Sequence, residues 1–225
     1  MKQKIHVPDI IQFIFMFLII SIMCISLVNA AEDNGDIPDN GAIPTTSLTN
    51  DITSMILEPG WNFISVPKRL ASGENSAMIF SALNSDGRSI WTYESDGTSS
   101  GSWITLSATD KISPLNGYWV YSVNPAVIKL SYSQDPLTTP PLRDLQTGWN
   151  AIGFASLTPA TARDALLSAK KSWIEIIGFD AESQASLPAI LNGGGEEHSD
   201  RQYLTPMQGY WCLVSDPCMY AALTA

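Results

Sequence analysis

The tripeptide Gly-Trp-Asn occurs twice in this chain, each time in the same sequence context. The first copy lies in LEPGWNFISVP, which starts at Leu57, and the second lies in LQTGWNAIGFA, which starts at Leu145. Further matches follow in the same order, because ISPLNGYWVYSVNP from Ile112 corresponds to LTPMQGYWCLVSDP from Leu204. Motifs that recur in one order indicate an internal duplication, so the sequence predicts two tandem copies of one module.

The repeated motifs are interpreted as structural. The shared positions are Gly60, Trp61, Asn62, Gly117, Tyr118 and Trp119 in the first copy, and Gly148, Trp149, Asn150, Gly209, Tyr210 and Trp211 in the second. Glycine frees the backbone at the start of a strand, tryptophan supplies apolar surface, and an asparagine side chain can bond neighbouring backbone groups. The motif is therefore expected wherever the fold recurs.

Each copy is predicted to be a β-rich α+β module with the order strand, helix, strand, hairpin. The segment after Gly-Trp-Asn alternates as a half-buried strand does. In the second copy Thr158 is a suitable N-cap for a short helix, whose apolar stripe contains Ala162, Ala165 and Leu166. The closing strands are separated by Asn-Pro in one copy and by Asp-Pro in the other, which favours a hairpin turn.

The first thirty residues have the pattern of a secretory signal peptide. Lys2 and Lys4 precede an apolar run, 10–28, which ends at the small-residue sequence Val28-Asn29-Ala30. An uncleaved membrane anchor is the alternative, because the apolar run is nearly long enough to cross a bilayer. No second apolar segment of that length follows, so we expect no membrane span after cleavage. The pattern predicts a secreted or cell-surface protein.

Two polar segments divide the rest of the chain. Residues 31–54 are acidic and rich in Pro and Gly, and residues 134–144 contain Pro140-Pro141. Both compositions are typical of linkers, and the second should hold the modules apart. The predicted organisation is a signal peptide (1–30), a disordered acidic linker (31–54), module 1 (55–133), a Pro-rich linker (134–144) and module 2 (145–225).

Charge narrows the class of partner. The formal net charge is −10 at pH 7, and no cluster of Lys or Arg offsets it. Such a surface repels phosphate backbones, so nucleic acid is not an expected partner. A protein or glycan of the cell envelope or the extracellular space is the expected partner, and no cofactor is predicted.

The two cysteines after the signal, Cys212 and Cys218, take the places of Val120 and Ala126 in the first copy. If these positions face each other across the predicted hairpin, their β-carbons are close enough for a disulfide. An oxidising destination favours that bridge, and two separate small core residues are the alternative. A metal site is not predicted, because two thiolates lack the two further ligands that zinc requires.

The inventory of catalytic groups is poor. The only histidine after the signal, His198, lies in the polar loop NGGGEEHSD and is interpreted as a solvated loop residue. Glu94 with Asp96, and Glu175 with Asp180, fall at related places in the two copies, which leaves a secreted hydrolase with paired carboxylates as an alternative. We predict no catalytic residue and a protein that is not an enzyme.

Tryptophan offers the remaining binding hypothesis. The seven residues are Trp61, Trp91, Trp103, Trp119, Trp149, Trp173 and Trp211. Six correspond between the copies and are expected in the cores. Trp103 has no counterpart and lies in the polar segment SDGTSSGSWITL, so it is the candidate for an exposed aromatic that binds a sugar ring or a partner protein.

The combination of LxxGWNxI, a central Trp and P-x-x-GYW resembles modules that recur in secreted and cell-surface proteins of methanogenic archaea and some bacteria. The resemblance covers both copies, from about Leu57 onward, and GWNFISVP fits its first strand better than GWNAIGFA does. It implies an extracellular, envelope-associated module of poorly characterised function and carries over no catalytic residue. The expectation is a non-enzymatic surface protein with a structural, adhesive or assembly role; an extracellular carbohydrate-binding protein is the alternative.

Overall fold

The computed structural model describes residues 52–97, 101–135 and 139–222, which belong to one compact unit, Thr49–Ala225. The predicted signal peptide and the predicted acidic linker up to residue 51 lie outside the described residues. Within the described part, no helix has the length and apolar character needed to cross a membrane. Among the described residues, strands form most of the regular structure, and the two α-helices there are one turn long. The fold is therefore β-rich, as the sequence predicted.

We call residues 52–135 the first half and residues 139–222 the second half. The described residues of the first half form strands and one short helix. In chain order they are β1 (Ile52–Leu57), β2 (Gly60–Ile64), α1 (Ser76–Ile79), β3 (Trp91–Glu94), β4 (Ser102–Thr105), β5 (Tyr118–Ser122) and β6 (Ala126–Ser131). A four-stranded antiparallel sheet has the order β2, β5, β3, β4, while β1 and β6 pair with each other in a separate ribbon. Asn75 caps α1, because its side chain accepts a bond from the Met78 amide.

The second half has more and shorter elements. They are β7 (Leu142–Leu145), β8 (Gly148–Gly153), β9 (Ala160–Thr161), α2 (Ala162–Ala165), a 3₁₀ turn (Leu167–Ala169), β10 (Trp173–Ile177), β11 (Phe179–Asp180), β12 (Ala185–Ser186), β13 (Ile190–Leu191), a 3₁₀ turn (Glu196–His198), β14 (Tyr203–Leu204), β15 (Gly209–Val214) and β16 (Cys218–Ala221). Its four-stranded sheet has the order β8, β15, β10, β13, and β7 pairs with β16. The strands that carry the repeated motifs therefore pair in the same way in both halves.

The closing hairpin predicted for each half does not form. β5 pairs with β2 and β3, whereas β6 leaves that sheet and pairs with β1. In the second half β15 pairs with β8 and β10, and β16 pairs with β7. An Asn-Pro or Asp-Pro step suits a corner between sheets as well as a hairpin turn. The sequence pattern of the closing strands was correct, but their partners lie far away in the chain.

Each two-stranded ribbon covers one face of its four-stranded sheet and encloses a core. In the first half Leu57 of β1 and Leu130 of β6 pack with Val120 of β5. In the second half Leu145 of β7 and Tyr220 of β16 belong to one cluster with Ile152, Leu166 and Ile176. The alternation of buried and exposed residues along β6 follows from the pleat of a strand with one face in the core.

The two halves are in direct contact. Bridges between strands pair Ile64 with Gln208 and Asn116 with Ile152, two pairs that occupy equivalent places in the repeated motifs. A β-carbon added at Gly153 would lie 2.6 Å from the Asn116 carbonyl oxygen, so the backbones pass very close to each other. β7 starts at Leu142, inside the segment predicted as a linker. The prediction that Pro140-Pro141 holds the modules apart is wrong.

Candidate functional site

The Gly-Trp-Asn motif shapes the tight turn between β1 and β2. Gly60 has a φ of 103°, a left-handed conformation that side-chain-bearing residues rarely adopt. The Glu58 amide donates to Asn62 Oδ1 at 2.9 Å, and Asn62 Nδ2 donates to the carbonyl oxygens of Glu58 at 2.9 Å and Gly60 at 3.2 Å. Asn62 is 3% exposed, so its side chain replaces water as the partner of the turn.

The second copy makes the same turn between β7 and β8. Gly148 has a φ of 95°. The Gln146 amide donates to Asn150 Oδ1 at 3.2 Å, and Asn150 Nδ2 donates to the carbonyl oxygens of Gln146 at 2.8 Å and Gly148 at 3.0 Å. Gly and Asn of the motif are thus occupied by the turn and are unavailable to a ligand.

The tyrosine of the Gly-Tyr-Trp motif holds the loop that precedes it. Tyr118 accepts a hydrogen bond from the Ser113 amide at 2.9 Å, and Tyr210 accepts one from the Thr205 amide at 2.6 Å. Both rings are buried. Burial raises the pKa of the Tyr118 hydroxyl, and it raises the pKa of Tyr210 to about 12. These hydroxyls remain protonated at neutral pH, and each accepts a hydrogen bond from an amide of the preceding loop.

The glycine of the same motif allows the halves to approach each other. A β-carbon at Gly117 would lie 2.8 Å from the Ile152 carbonyl oxygen, and one at Gly209 would lie 2.9 Å from the Ile64 carbonyl oxygen. Such distances are shorter than real β-carbon contacts, so a larger residue would push the halves apart. Gly117 and Gly209 are interface residues for this steric reason.

One face of the first sheet is lined by aromatic side chains from all four strands. We call it the aromatic face, and it consists of Trp61 and Phe63 of β2, Trp119 and Tyr121 of β5, Trp91 and Tyr93 of β3, and Trp103 of β4. The register places Trp61 opposite Tyr121, Phe63 and Trp91 opposite Trp119, and Tyr93 opposite Trp103. Directly opposed residues point to the same side of a sheet, which brings these rings together.

The centre of the aromatic face is buried against the second half. Phe63 and Trp119, each 3% exposed, stack with their centroids 4.5 Å apart and an interplanar angle of 6°. Trp211 lies 5.6 Å from Phe63, and Phe179 lies 4.8 Å from Trp119. Trp119 Nε1 is buried without a hydrogen-bond partner among the described residues. This part of the face joins the halves and is closed to a partner.

The margin of the aromatic face remains partly exposed. At this margin Tyr93 and Trp103 pack edge to face with each other and with Trp211, which β15 of the second half adds to the group. The centroid distances are 5.3 to 5.7 Å and the interplanar angles 70° to 80°. All three are half-buried. Rings fixed in this way offer rigid apolar area that costs little conformational entropy on binding. Their planes are nearly perpendicular, so they do not form one flat platform.

A second, half-buried group lies at the opposite edge of the aromatic face, on β2 and β5. Trp61 and Tyr121 meet edge to face at 5.2 Å, and the Arg88 guanidinium carbon lies 4.1 Å from the centroid of the Tyr121 ring. The Gln184 side chain from the second half bonds both the amide and the carbonyl of Trp61, at 2.8 and 2.9 Å. A cation over an aromatic ring at the surface is a common component of binding interfaces.

The burial of the tryptophans differs from the sequence-based expectation. Of the six that correspond between the copies, Trp119 and Trp173 are buried, at 3% and 2% exposed, and Trp61, Trp91, Trp149 and Trp211 are half-buried. Trp103, expected to be exposed, is half-buried as well. The sequence could not reveal the aromatic face, because its members come from four strands that only the pairing of β2, β5, β3 and β4 brings together.

Trp91 and Trp173 correspond in sequence but lie on different sides of their sheets. Trp91 pairs with Trp119 on the aromatic face. Trp173 pairs with Val214 and is in the core, and the register of β10 shifts between Trp173 and Glu175. A bulge moves the following side chains to the other face, so a sequence match alone does not preserve the environment.

The predicted disulfide is absent, and Cys212 and Cys218 are free thiols. The prediction required the two residues to face each other across a hairpin. Cys212 instead lies opposite Asn150 and Ile176 in the four-stranded sheet, and Cys218 lies opposite Leu145 in the ribbon. Burial raises the pKa of both thiols, so they stay protonated at neutral pH. Their role in this structure is packing in the second core.

The candidate acids do not converge on a cleft. Glu94 is exposed on β3, whereas Glu175 is 5% exposed on β10. Asp180 accepts bonds from the Glu182 amide and the Ser183 hydroxyl within its own turn. In the part of the chain that the structure describes, no group of three or more His, Cys, Asp or Glu residues could hold a metal ion.

The glycine-rich loop is anchored by an ion pair between the exposed Arg163 and the buried Asp200. Asp200, 3% exposed, accepts bonds from Arg163 Nε and Nη2 at 3.0 and 2.7 Å and from the Gly193 amide at 3.2 Å. The Arg163 guanidinium lowers the pKa of this carboxyl. His198, predicted to be solvated, is half-buried with Nδ1 at 2.7 Å from the Ala189 carbonyl oxygen. Each of these groups has a structural partner.

Comparisons of this chain with protein-family models, with curated proteins and with solved structures found no match. The resemblance to archaeal surface modules stays a prediction from the repeated motifs. In the described part of the chain, the partly exposed margin of the aromatic face brings three potential binding residues, Tyr93, Trp103 and Trp211, together.

Proposed function

We propose that this chain is a non-enzymatic secreted or cell-surface protein with a structural, adhesive or assembly role, and that the margin of the aromatic face is its contact surface. The observation that carries the proposal is the group formed by Tyr93, Trp103 and Trp211, half-buried and held edge to face. Tyr and Trp dominate the energetic centres of protein interfaces. The signal-like N-terminal sequence supports placement outside the cytoplasm.

The repeated architecture supports the same proposal. The halves share a pairing scheme, and we infer that they are two copies of one module, which diverged in the loops and in the aromatic content of the sheet face. Bridges at equivalent positions unite them in one unit. A rigid unit of two halves that exposes aromatic side chains at one margin is suited to be a component of a larger assembly.

The proposal is tested by fractionating cells under nondenaturing conditions and measuring the size of the particles that contain the protein. We expect the wild type in large envelope assemblies and expect Trp103→Ala to shift most of it to a monomeric pool. Tyr203→Ala is the matched control, because Tyr203 is an aromatic residue on β14 that is 67% exposed. Its distribution should equal that of the wild type.

Two results would contradict the proposal. One is recovery of the wild-type protein as a free monomer in the medium. The other is an unchanged assembly in Trp103→Ala, provided that its melting temperature shows an intact fold. Trp103→Phe separates ring contact from folding, since it keeps an aromatic ring on β4 and should retain most of the association.

A second candidate function is extracellular carbohydrate binding through Trp103. The specific observation is that Tyr93 and Trp211 support the Trp103 indole from two directions and leave part of it exposed. An immobilised indole can stack against the apolar side of a sugar ring. Because neighbouring rings stand at 70° to 80°, this site suits one sugar ring on one indole and disfavours a flat polysaccharide surface.

Carbohydrate binding is tested on a glycan array with wild type, Trp103→Ala and Tyr203→Ala. Binding to a defined glycan that disappears only in Trp103→Ala is the expected result. A signal that persists in this variant, or an array without signal above background, would remove the hypothesis and leave the protein-contact role in place.

A further inference from the structure

A groove of about 670 Å³ with three cationic side chains lies where the chain passes from the first half to the second. We call it the cationic groove. It is bordered by the loops 69–74 and 111–116 and by residues 139–143, and its cations are Arg69, Lys111 and Arg143. This volume is typical of pockets that bind small molecules. The cationic groove is separate from the margin of the aromatic face, with which it shares no residue.

The cations of the groove have no ion-pair partner among the described residues. The Arg and Lys residues that do pair within 4.0 Å of a carboxylate are Arg88 and Arg163. Glu74 and Asp135 also border the groove, so its balance is three cations to two carboxylates in a chain of formal net charge −10. An excess of positive charge in a strongly acidic protein attracts anions locally.

The Arg143 side chain is held in place by hydrogen bonds at the groove. Its Nη1 donates to the carbonyl oxygens of Leu115 at 2.9 Å and Ala151 at 2.6 Å, one from each half. In the described part of the chain, Nη2 and Nε have no hydrogen-bond partner. Desolvation lowers the pKa of this guanidinium, and the negative charge of Glu94 acts in the opposite direction. The Nε and Nη2 edge has the fork geometry that matches the two oxygens of a carboxylate.

We propose that the cationic groove binds a small organic anion with at least two carboxylates. One carboxylate pairs with the Nε and Nη2 edge of Arg143, and another lies between Arg69 and Lys111, which are exposed on the two facing loops. Hydroxyl groups at the rim supply further donors; they belong to Ser72, Ser113, Ser133 and Thr139. The fork accepts two oxygens of one anion, whether a carboxylate or a tetrahedral oxyanion. The preference for a dicarboxylate over sulfate comes from the second cationic position, between Arg69 and Lys111, which a second carboxylate of the same molecule can occupy.

The test is isothermal titration calorimetry with citrate as the probe, at constant ionic strength. We expect one saturable site for citrate and weaker binding of sulfate. The double variant Arg69→Gln, Lys111→Gln should weaken citrate binding by about tenfold or more, because each charge-assisted contact is worth about tenfold in affinity. Lys129→Gln removes an exposed cation on β6 outside the groove and should bind as the wild type does.

Three outcomes would overturn the proposal. They are the absence of saturable heat with citrate, sulfate binding as tight as citrate binding, and equal citrate affinity in the double variant and the wild type. Arg69 and Lys111 are exposed, so their replacement leaves the cores intact. An unchanged melting temperature without citrate verifies this, and Arg143 is left unmutated because it ties the two halves together.

Discussion

Two asparagines hold the turns on which each half is built, and their removal should be costly. Asn62→Ala and Asn150→Ala each leave a buried turn without three hydrogen bonds. We expect each variant to lose about 1–3 kcal/mol in the free energy of unfolding, because the orphaned backbone groups cannot reach water. Urea unfolding measures this loss, and Asn124→Ala, at an exposed position, should change it by less than about 0.5 kcal/mol.

Equal and small losses in all three asparagine variants would contradict the role assigned to the motif. The prediction also separates the residues of Gly-Trp-Asn. Gly60 and Asn62 act within the turn, whereas Trp61 contacts Tyr121 and Gln184 at the edge of the sheet. Gln184 bonds the backbone of Trp61, so substitution of the Trp61 side chain should remove the ring contact with Tyr121 and leave these two hydrogen bonds in place.

The raised pKa of Tyr210 leads us to expect that the free energy of unfolding falls in alkaline solution. Burial raises its pKa to about 12 in the folded protein, whereas an unfolded tyrosine has a pKa of about 10. Between these values the unfolded chain has released the proton and the folded chain retains it, so the free energy of unfolding falls as pH rises. The fall attributable to Tyr210 is about 2–3 kcal/mol from pH 10 to pH 12.

The Tyr210 prediction is checked by urea unfolding at several pH values. Tyr210→Phe should be less stable than the wild type at pH 7, because the Thr205 amide loses its partner, but its stability should fall less steeply above pH 10. Tyr203→Phe, at an exposed position, should keep the wild-type slope. Identical slopes in the wild type and Tyr210→Phe would show that another group governs the alkaline transition.

At the scale of elements, the close approach of backbones between the halves predicts that Gly153→Ala is destabilising. The new β-carbon would lie 2.6 Å from the Asn116 carbonyl oxygen and 2.7 Å from the Ser65 β-carbon, so the strands must separate. Overpacking of this kind costs about 1–3 kcal/mol. Gly195→Ala is the matched control, because its β-carbon would meet no atom within 4 Å and its φ of −116° suits alanine.

The melting temperatures of the two glycine variants test this prediction. Gly153→Ala should melt several degrees below the wild type, and Gly195→Ala should match it or melt slightly higher. A Gly153→Ala protein with wild-type stability would mean that the bridge between Asn116 and Ile152 contributes little to the contact between the halves.

Comparison of the predicted with the observed elements shows which features of the fold the sequence encodes locally. Local signals were informative: the apolar stripe of the second-half helix is buried, with Ala162, Ala165 and Leu166 at most 2% exposed. The N-cap is Thr161 and not Thr158, because Ala160 and Thr161 first pair as β9 with β14. That pairing is a long-range contact, and no local pattern encodes it.

Because local patterns do not encode long-range pairing, the sequence also failed to predict the partners of the closing strands and the margin of the aromatic face. β5 and β6 were recognised as strands, but a strand pattern does not name its partner, and the hairpin and the disulfide both depended on the wrong one. Tyr93 and Trp103 are neighbours across β3 and β4, whereas Trp211 joins them only through the contact between the halves. The cationic groove is equally non-local, since Arg69, Lys111 and Arg143 come from three separate segments.

The molecule as a whole is expected to unfold in one transition, although its sequence consists of two similar parts. Phe63 and Trp119 of the first half are buried beneath Trp211 and Phe179 of the second, so unfolding either half exposes large apolar area on the other. Arg143 adds a desolvated cation whose Nη1 partners come from both halves. Losing one half would leave these groups unpaired or exposed, which couples the two cores.

Native-state hydrogen exchange tests this coupling at equivalent sites. The amides of Val120 in β5 and Cys212 in β15 lie in the centres of the two sheets and should exchange with the same free energy of opening, equal to that of global unfolding. In Gly153→Ala the two values should diverge, because the weakened contact allows one half to open first. Different values in the wild type would mean that each core is stable alone and that the aromatic contact between the halves is dispensable for folding.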